Sequence, residues 1–407
     1  MARVAIVWQH RIIAETRVGR EIGALAEAGH EVDVICLRAP GEARFERRGP
    51  VTFRRLSLQT RRSGLVRSVA ENVLFGAVAS LLLSVRHLRR PYSVIQVDSV
   101  PDTLVFAAIG PRLLGARVVL ELLEPMPEFF ASRFGVGLGH PVIWLMRRLE
   151  QASIRFAHSA ITCTTLMRDA FVARGAPKDK VHVIHDGPDE RVFKPDGRSA
   201  GDPDGRFTLI CHGTVEERYG LDTVIRAVAL LKPELPGLRF QVVGQGSYLP
   251  ALEELARTLG VSDSVHFTRA FVPAPALVEA IGAADAGVVA MKRDAFRDLT
   301  LCAKLFDFIA MRKPILASRT RSVEEYFDDS CLSLFTADDA EDLARAIREL
   351  HADPKLREAI VERATLVGQP YRWPSERPRY LEIIEGEIAR ARPFRHRGRS
   401  PGATACA

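Results

Sequence analysis

The strongest constraint on the fold of this chain is the repeated pairing of a short apolar run with a helical stretch. Val4–Trp8, Glu31–Leu37, Val94–Asp98, Arg117–Glu121 and Ala160–Cys163 read as strands, with helices expected up to Gly29, over Thr103–Leu114 and over Thr164–Arg174. Val4–Trp8 is apolar throughout, as a strand buried on both faces should be. After residue 206 the alternation resumes. Strands are expected at Phe207–His212, Leu238–Val243, Val265–Thr268, Ala286–Met291, Ile315–Ala317 and Leu332–Phe335, with a helix at Gly220–Leu231. Strands alternating with helices predict an α/β chain built on parallel, doubly wound sheets. Two such series in 407 residues predict two domains, each with a sizeable core.

Asp196–Arg206, rich in Gly, Asp and Ser, reads as the linker between the series. It contains Asp202-Pro203-Asp204, a formal D-x-D. No strand core precedes it and nothing nearby completes a metal site, so a turn is expected there and no metal.

Residues 300–318, TLCAKLFDFIAMRKPILAS, carry the most specific chemistry. Leu305, Phe308 and Ile309 make an apolar stripe at i, i+3, i+4 of a helix. Lys304 and Asp307, three apart, share another face. Lys313-Pro314 stops the helix, because proline bars αR for the residue before it. The features this unit should expose are a helix N-terminus, an ammonium and a carboxylate. The first two suit a diphosphate, and the carboxylate suits the two hydroxyls of a ribose. Together they fit the nucleotide half of a nucleotide-sugar. An ordinary crossover helix with a solvated Lys304–Asp307 pair fits the same residues equally well.

The net charge of +7 and pI of about 9.2 favour anionic partners. No nucleic-acid motif accompanies the charge, so nucleic acid is not an expected partner. Six cysteines, at 36, 163, 211, 302, 331 and 406, show no CxxC and no His cluster. They read as free thiols in a reducing cytoplasm. The opening MARVAIVWQH enters a strand directly, without the apolar core and cleavage site of a signal peptide. The first strand–loop–helix–strand unit is Rossmann-like but has no GxGxxG, so no dinucleotide cofactor is supported.

Between residues 54 and 90, Arg54, Arg55, Arg61, Arg62 and Arg67 precede an apolar run, Val73–Val85, and Arg86, Arg89 and Arg90 follow it. Thirteen residues fall short of the ~20 a bilayer requires. A buried helix with basic ends is the favoured reading. A basic, apolar surface docking on anionic lipid is the other.

The 300–318 stretch resembles the donor-site motif of retaining family 4 glycosyltransferases, which have the GT-B fold of two Rossmann-like domains facing a cleft. That motif runs roughly P-x-K-L-x-E-Y-x-A-x-G-K-P-V-I-A. Lys304 and Lys313-Pro314 match; Asp307 stands where the family has Glu, Cys302 where many members have Pro, Arg312 where they have Gly, and Leu299 at the place of an earlier Glu. ETRVGREIGALAEAGHEV (15–32) is similar to the D-x-R-V-x-R-E-A…A-G-H-E-V start of one subgroup, with Glu15 in place of Asp. ELLEPMPE (121–128) is similar to D-x-H-E-x-M-P-E, with Leu123 replacing the His. VHVIHDGPDERVFKP (181–195) is similar to the joint between domains, and HGTVEERYG (212–220) to the glycine turn x-G-R-L-x-x-x-K-G. In that turn Thr214 and Tyr219 stand where Arg and Lys are usual, and Arg218 is the available cation.

The resemblance covers about residues 1–390. It implies residues 1–190 as an acceptor-side domain, 191–370 as a nucleotide-sugar domain, 371–392 as a helix crossing back, and 393–407 as a basic disordered tail. It implies sugar transfer with retention and no metal or other cofactor. Gly213, Thr214, Arg218 and Lys304 would meet the phosphates and Asp307 the ribose. Glu124 is the candidate for orienting the sugar, and Glu15, Arg17 and Glu128 are expected to line the cleft; Arg20 could face it too. For Arg17 and Arg20, a basic helical turn facing water is an equal alternative; for Glu124 and Glu128 the alternative is charge complementarity at a helix N-terminus. The expected acceptor is a glycan, a lipid-linked sugar or a small molecule, met in the cytoplasm or at an anionic membrane surface. A catalytically weakened nucleotide-sugar-binding protein and a sugar-nucleotide epimerase of the same fold are the alternatives.

Overall fold

The computed structural model describes residues 1–12, 17–58, 65–188, 190–195 and 206–392. Glu15, Arg61, Arg62, Asp202, Asp204, most of the linker and the 393–407 tail lie outside the described residues.

The chain begins β1 (Arg3–Trp8), α1 (Arg17–Glu27), β2 (Glu31–Leu37), β3 (Phe45–Arg48), β4 (Val51–Leu56), α2 (Leu65–Arg89) and β5 (Val94–Asp98). A 3-10 turn (Asp102–Ala108), α3 (Ile109–Leu113), β6 (Arg117–Leu122), α4 (Met126–Phe134), α5 (Pro141–Phe156), β7 (Ser159–Thr162), α6 (Thr165–Ala173) and β8 (Val181–Val183) complete the first domain. Its eight strands run in the order β3-β4-β2-β1-β5-β6-β7-β8, parallel except for β3 against β4. The reversal of strand order around β1 opens a crevice at the C-terminal ends of β1 and β5, where such sheets place ligands.

The second domain comprises β9 (Phe207–His212), α7 (Leu221–Leu231), β10 (Leu238–Val243), α8 (Leu249–Thr258), β11 (Val265–Phe267), α9 (Ala274–Ala283) and β12 (Ala286–Val289). It continues through α10 (Ala303–Ala310), β13 (Ile315–Ser318), α11 (Arg321–Glu324), β14 (Ser333–Phe335), α12 (Ala340–Ala352) and α13 (Pro354–Gly368). Its six strands are all parallel, in the order β11-β10-β9-β12-β13-β14, so the switch point lies beside the end of β9. The last helix, α14 (Trp373–Arg390), returns to the first domain. There Tyr380 and Ile384 join a core with Ile6, Leu25 and Val34.

The parallel strands lie where the apolar runs put them, except β4 and β8, which were not among the expected strands. The expected C-cap at Gly29 is also present, one residue past the turn at Ala28, with φ +82°. α1 begins at Arg17 and already includes Gly19. Strands β3 and β4 carry arginine where alternation would place apolar residues. Arg55 is buried in β4 and held by Glu42 and Glu46, while Arg54 and Arg86 gather on Asp33. These basic residues are paired within the domain.

The helix over 73–85 is also not the buried one expected. It extends to 25 residues, and among its described side chains Phe75, Ala79, Leu83 and His87 form the buried stripe at i, i+4, i+8, i+12. Val73 and Leu81, each 66% exposed, lie off that stripe. By length and apolar content α2 could cross a membrane. Its Phe75 stripe instead packs into the first domain's core.

Candidate donor site in the interdomain cleft

β9 delivers the chain to Gly213, which adopts φ +94°. The turn after β10 presses on it from behind: a Cβ on Gly244 would come within 1.9 Å of the Gly213 carbonyl oxygen. On its other side, a Cβ on Gly213 would lie 3.1 Å from Lys304 Cε. Glycine at 213 therefore provides both the left-handed turn and the room for the lysine stem. Thr214, next along, is exposed.

α10 is buried around most of its circumference, through Lys304, Leu305, Phe306, Phe308 and Ile309. Lys304 is thus not on a solvated face but 8% exposed, its ammonium 3.7 Å from the centroid of the Tyr219 ring. Asp307, half-buried one turn on, does not pair with it; Asp307 Oδ2 faces His212 Nε2 at 3.4 Å. Burial, with Asp186 adding and Arg20 and Lys304 opposing, pushes the Asp307 carboxyl up to about 7. Burial and Lys304 hold His212 down at about 3, so its ring is neutral and the contact is not an ion pair at neutral pH. The solvated Lys304–Asp307 pair is therefore overturned by the packing of α10.

Arg218 leans between the two domains, its guanidinium carbon 5.5 Å from the Tyr219 centroid and 5.4 Å from that of Phe129 on α4. Arg297 joins them, 5.1 Å from the same Tyr219 ring and buried. Glu124 lies across the cleft, just before α4. Burial raises its pKa, while Arg297, Arg218 and Arg133 pull it down, so the carboxylate faces those cations. The cleft is closed by further contacts: Ser132 Oγ donates to Asp294 Oδ2 at 2.5 Å, Phe129 meets Phe296 edge-on, and Thr164 Oγ1 donates to the Leu299 carbonyl at 2.7 Å.

Two residues expected in the cleft are elsewhere. Arg17 neither lines it nor faces water. It is buried between Glu21 and Glu121, and its Nη1 donates to the Ile184 carbonyl at 2.7 Å. α1 starts at Arg17 and turns that face onto the sheet, where Glu21 and Glu121 offset the cost of desolvating the guanidinium. Glu128 is held by Arg174 at 2.8 Å and Arg147 at 3.6 Å, so it ties α4 to α5 and α6 rather than meeting a ligand. Arg20 does approach the joint between domains, bonded to Asp186 at 2.8 Å.

Glu21, Asp98 and Glu121 bring carboxylate oxygens within 4.8 Å of one another, a spacing that could hold a cation. Arg17 and the Gln96 amide already meet these oxygens. Burial first, then the neighbouring carboxylates, raises Glu21 and Asp98 well above the usual carboxylate range. Tyr380 of α14 closes the cluster by donating to Gln96 Oε1 at 2.8 Å. The set is a buried hydrogen-bonded network that pins the returning helix.

Sequence reasoning missed Arg297 and His212. Arg297 has no periodic relation to Lys304, and a single arginine among many in a basic chain gives no signal. His212 was legible only as the last residue of a strand.

Residues 14–187 match the model of the glycosyl transferase 4-like domain, and residues 194–367 match that of glycosyl transferases group 1. The chain is 26% identical over 288 residues to a GDP-mannose-dependent α-(1-6)-phosphatidylinositol monomannoside mannosyltransferase of Mycolicibacterium smegmatis, covering 67% of this chain and 75% of that protein. It is 27% identical over 233 residues to a D-inositol 3-phosphate glycosyltransferase of Thermomonospora curvata, covering 52% and 53%. Among solved structures, sucrose-phosphate synthase from Thermosynechococcus elongatus superposes with a TM-score of 0.75 at 17% identity, over 96% of this chain and all of that one. Anabaena HepE in complex with UDP-glucose superposes with a TM-score of 0.70 at 14% identity, over 95% of this chain and all of that one. Two parallel-sheet domains of this topology, matched along their length by both family models, make the chain a GT-B glycosyltransferase of the family 4, group 1 type.

Proposed function

We propose that this glycosyltransferase moves a sugar from a nucleotide-sugar to a lipid-linked or envelope-glycan acceptor, with retention of configuration. The observation that carries the reading is the convergence of the Gly213 turn, Lys304, Arg218 and Asp307 on one side of a cleft, with Glu124 on the other. Backbone at Gly213 and Thr214 and the N-terminus of α10 meet the phosphates. Lys304 and Arg218 stabilise charge that grows on the leaving diphosphate, a term usually large in such reactions. Asp307 accepts from the ribose hydroxyls, and Glu124 orients the transferred sugar. In this reading the cations do the work of a divalent metal, and the acceptor attacks from the face the diphosphate leaves.

The acceptor side of the reading is supported by the surface of the first domain. α2, α3 and α5 lie side by side over the same 3-10 turn, and they expose Leu81 (66%), Leu113 (76%) and Trp144 (59%). Arg89, Arg112 and Arg148 stand among them. An apolar, basic face of this kind suits peripheral docking on anionic lipid. The curated relatives named for phosphatidylinositol mannoside and for lipopolysaccharide core synthesis point the same way.

The test is a thermal-shift screen over nucleotide-sugars, followed by transfer assays with the donor that stabilises the chain. Parent protein should be stabilised by one nucleotide-sugar, and Lys304→Ala should lose about 10²–10³ in transfer rate. Stabilisation by none, or equal rates in parent and variant, would reject the reading. Chelator should leave the rate unchanged; a large loss would require a metal instead.

A further inference from the structure

We propose that Arg297 is a catalytic residue of this chain, touching the leaving diphosphate together with Lys304 and Arg218 around the ring of Tyr219. The inference rests on the donor reading above and deepens it. The glycine turn of this chain lacks the usual Arg and Lys, having Thr214 and Tyr219 in their places. Three cations from three segments replace them: Lys304 from α10, Arg218 from the turn itself and Arg297 from the loop before α10.

Tyr219 organises the group. Lys304 lies 3.7 Å, Arg297 5.1 Å and Arg218 5.5 Å from its ring centroid. A ring face holds a cation without neutralising it. Among the described residues none of the three has a carboxylate ion-pair partner. The Nε atoms of Arg297 and of Arg218 are buried without a hydrogen-bond partner, although Arg297 as a whole is only 7% exposed. Glu124 is near enough to feel both guanidiniums, yet bonds to neither. Buried charge of one sign with unspent donors is costly unless an anion completes it, and a planar guanidinium is the side chain best shaped for phosphate.

Arg297 is also held in place before any ligand arrives. Its backbone N–H donates to Asp294 Oδ1 at 2.7 Å, and its carbonyl accepts from Ser322 Oγ at 2.8 Å. Asp294 and Phe296 of the same loop touch Ser132 and Phe129 of the first domain, so domain closure seats the guanidinium. Preorganised charge of this kind stabilises a transition state without reorganisation during the reaction. As the bond from the anomeric carbon to the β-phosphate oxygen breaks, its electron pair stays on the diphosphate, where Arg297 meets it. The acceptor hydroxyl oxygen bonds the anomeric carbon, and its proton passes to that phosphate oxygen.

The experiment compares parent, Arg297→Ala and Arg297→Lys by calorimetry with UDP, GDP, uridine, guanosine and inorganic pyrophosphate, and by transfer rate at saturating donor. Arg297→Ala should bind pyrophosphate and the accepted nucleoside diphosphate at least tenfold more weakly, leave affinity for the matching nucleoside unchanged, and lose about 10²–10³ in kcat. Arg297→Lys should recover part of each, since it keeps the charge without the fork. Should the alanine variant not fold, the lysine variant must still show weakened diphosphate binding with nucleoside binding intact. Parent-like diphosphate affinity and kcat in the variants would overturn the role of Arg297 alone. A parent that binds neither UDP, GDP nor pyrophosphate would overturn the donor reading itself, and this inference with it.

Discussion

The ammonium of Lys304 lies 3.7 Å from the centroid of the Tyr219 ring, over a turn that only glycine at 213 leaves open. The ring faces a desolvated cation, an arrangement worth about 2 kcal/mol, or about thirtyfold in an equilibrium constant. Tyr219→Leu should therefore weaken nucleoside diphosphate binding about thirtyfold. Tyr219→Phe, which keeps the ring face, should stay within about twofold of parent. Calorimetry on the two variants checks this; equal losses in both would assign the effect to the phenol hydroxyl.

Asp307 should weaken the same ligand through its ribose. Asp307→Ala removes a charge-assisted hydrogen bond of about 1.5–3 kcal/mol. With the folded carboxyl pushed up to about 7, parent affinity should rise as pH is raised through 7, because the ionised form accepts from the hydroxyls. Stability runs the other way. The raised pKa contributes fully below the ordinary value of 3.8, and that contribution is lost as pH rises through about 7. Asp307→Asn should flatten both profiles. Titrations from pH 5 to 9 that show parent and Asn variant with the same slope would remove Asp307 from the site.

Arg17 belongs to the fold and not to the cleft. Arg17→Met leaves Glu121 buried without its cation, at a cost of about 3–5 kcal/mol. Thermal unfolding should fall by on the order of 10 °C, while the folded fraction should bind nucleoside diphosphate as parent does. A variant with parent stability and impaired binding would return Arg17 to the cleft.

The exposed face of α2 and α5 should carry membrane contact. Leu81→Glu with Trp144→Glu should abolish flotation with vesicles containing anionic lipid, and salt should weaken flotation of the parent, because attraction to the surface decays within about a Debye length. The fold should be unaffected, since Leu81 is 66% and Trp144 59% exposed. Flotation that survives both substitutions, or a parent that never floats at low salt, would leave a soluble acceptor.

Most parallel strands were legible because their inward residues are apolar, in an unbroken run as in β1 or in alternation as in β10. β2, β5, β9 and β10 lie at the residues their composition marked. The glycine turn at 213 and the α10 unit were legible by motif. The exposure of α2 was not, since a buried helix was expected there. Its apolar content is spread around the helix, and only the neighbours in space decided that Phe75, Ala79 and Leu83 face inward. Arg17 and Glu128 were misplaced for a related reason: each is neutralised by partners remote in sequence, Glu121 in one case and Arg174 in the other.

By itself the sequence determined two doubly wound parallel sheets, and a lysine and a carboxylate on one helix. Those follow from periodicity, composition and local backbone chemistry, which act over a few residues. Tertiary structure alone decided that Lys304 is buried against Tyr219 and that Asp307 faces a neutral His212 and not the lysine. It also decided that Arg297 stands beside Arg218, opposite Glu124. Charge and burial act through space, and the residues that set them here are brought together only when β9, the loop before α10 and α4 close on one cleft.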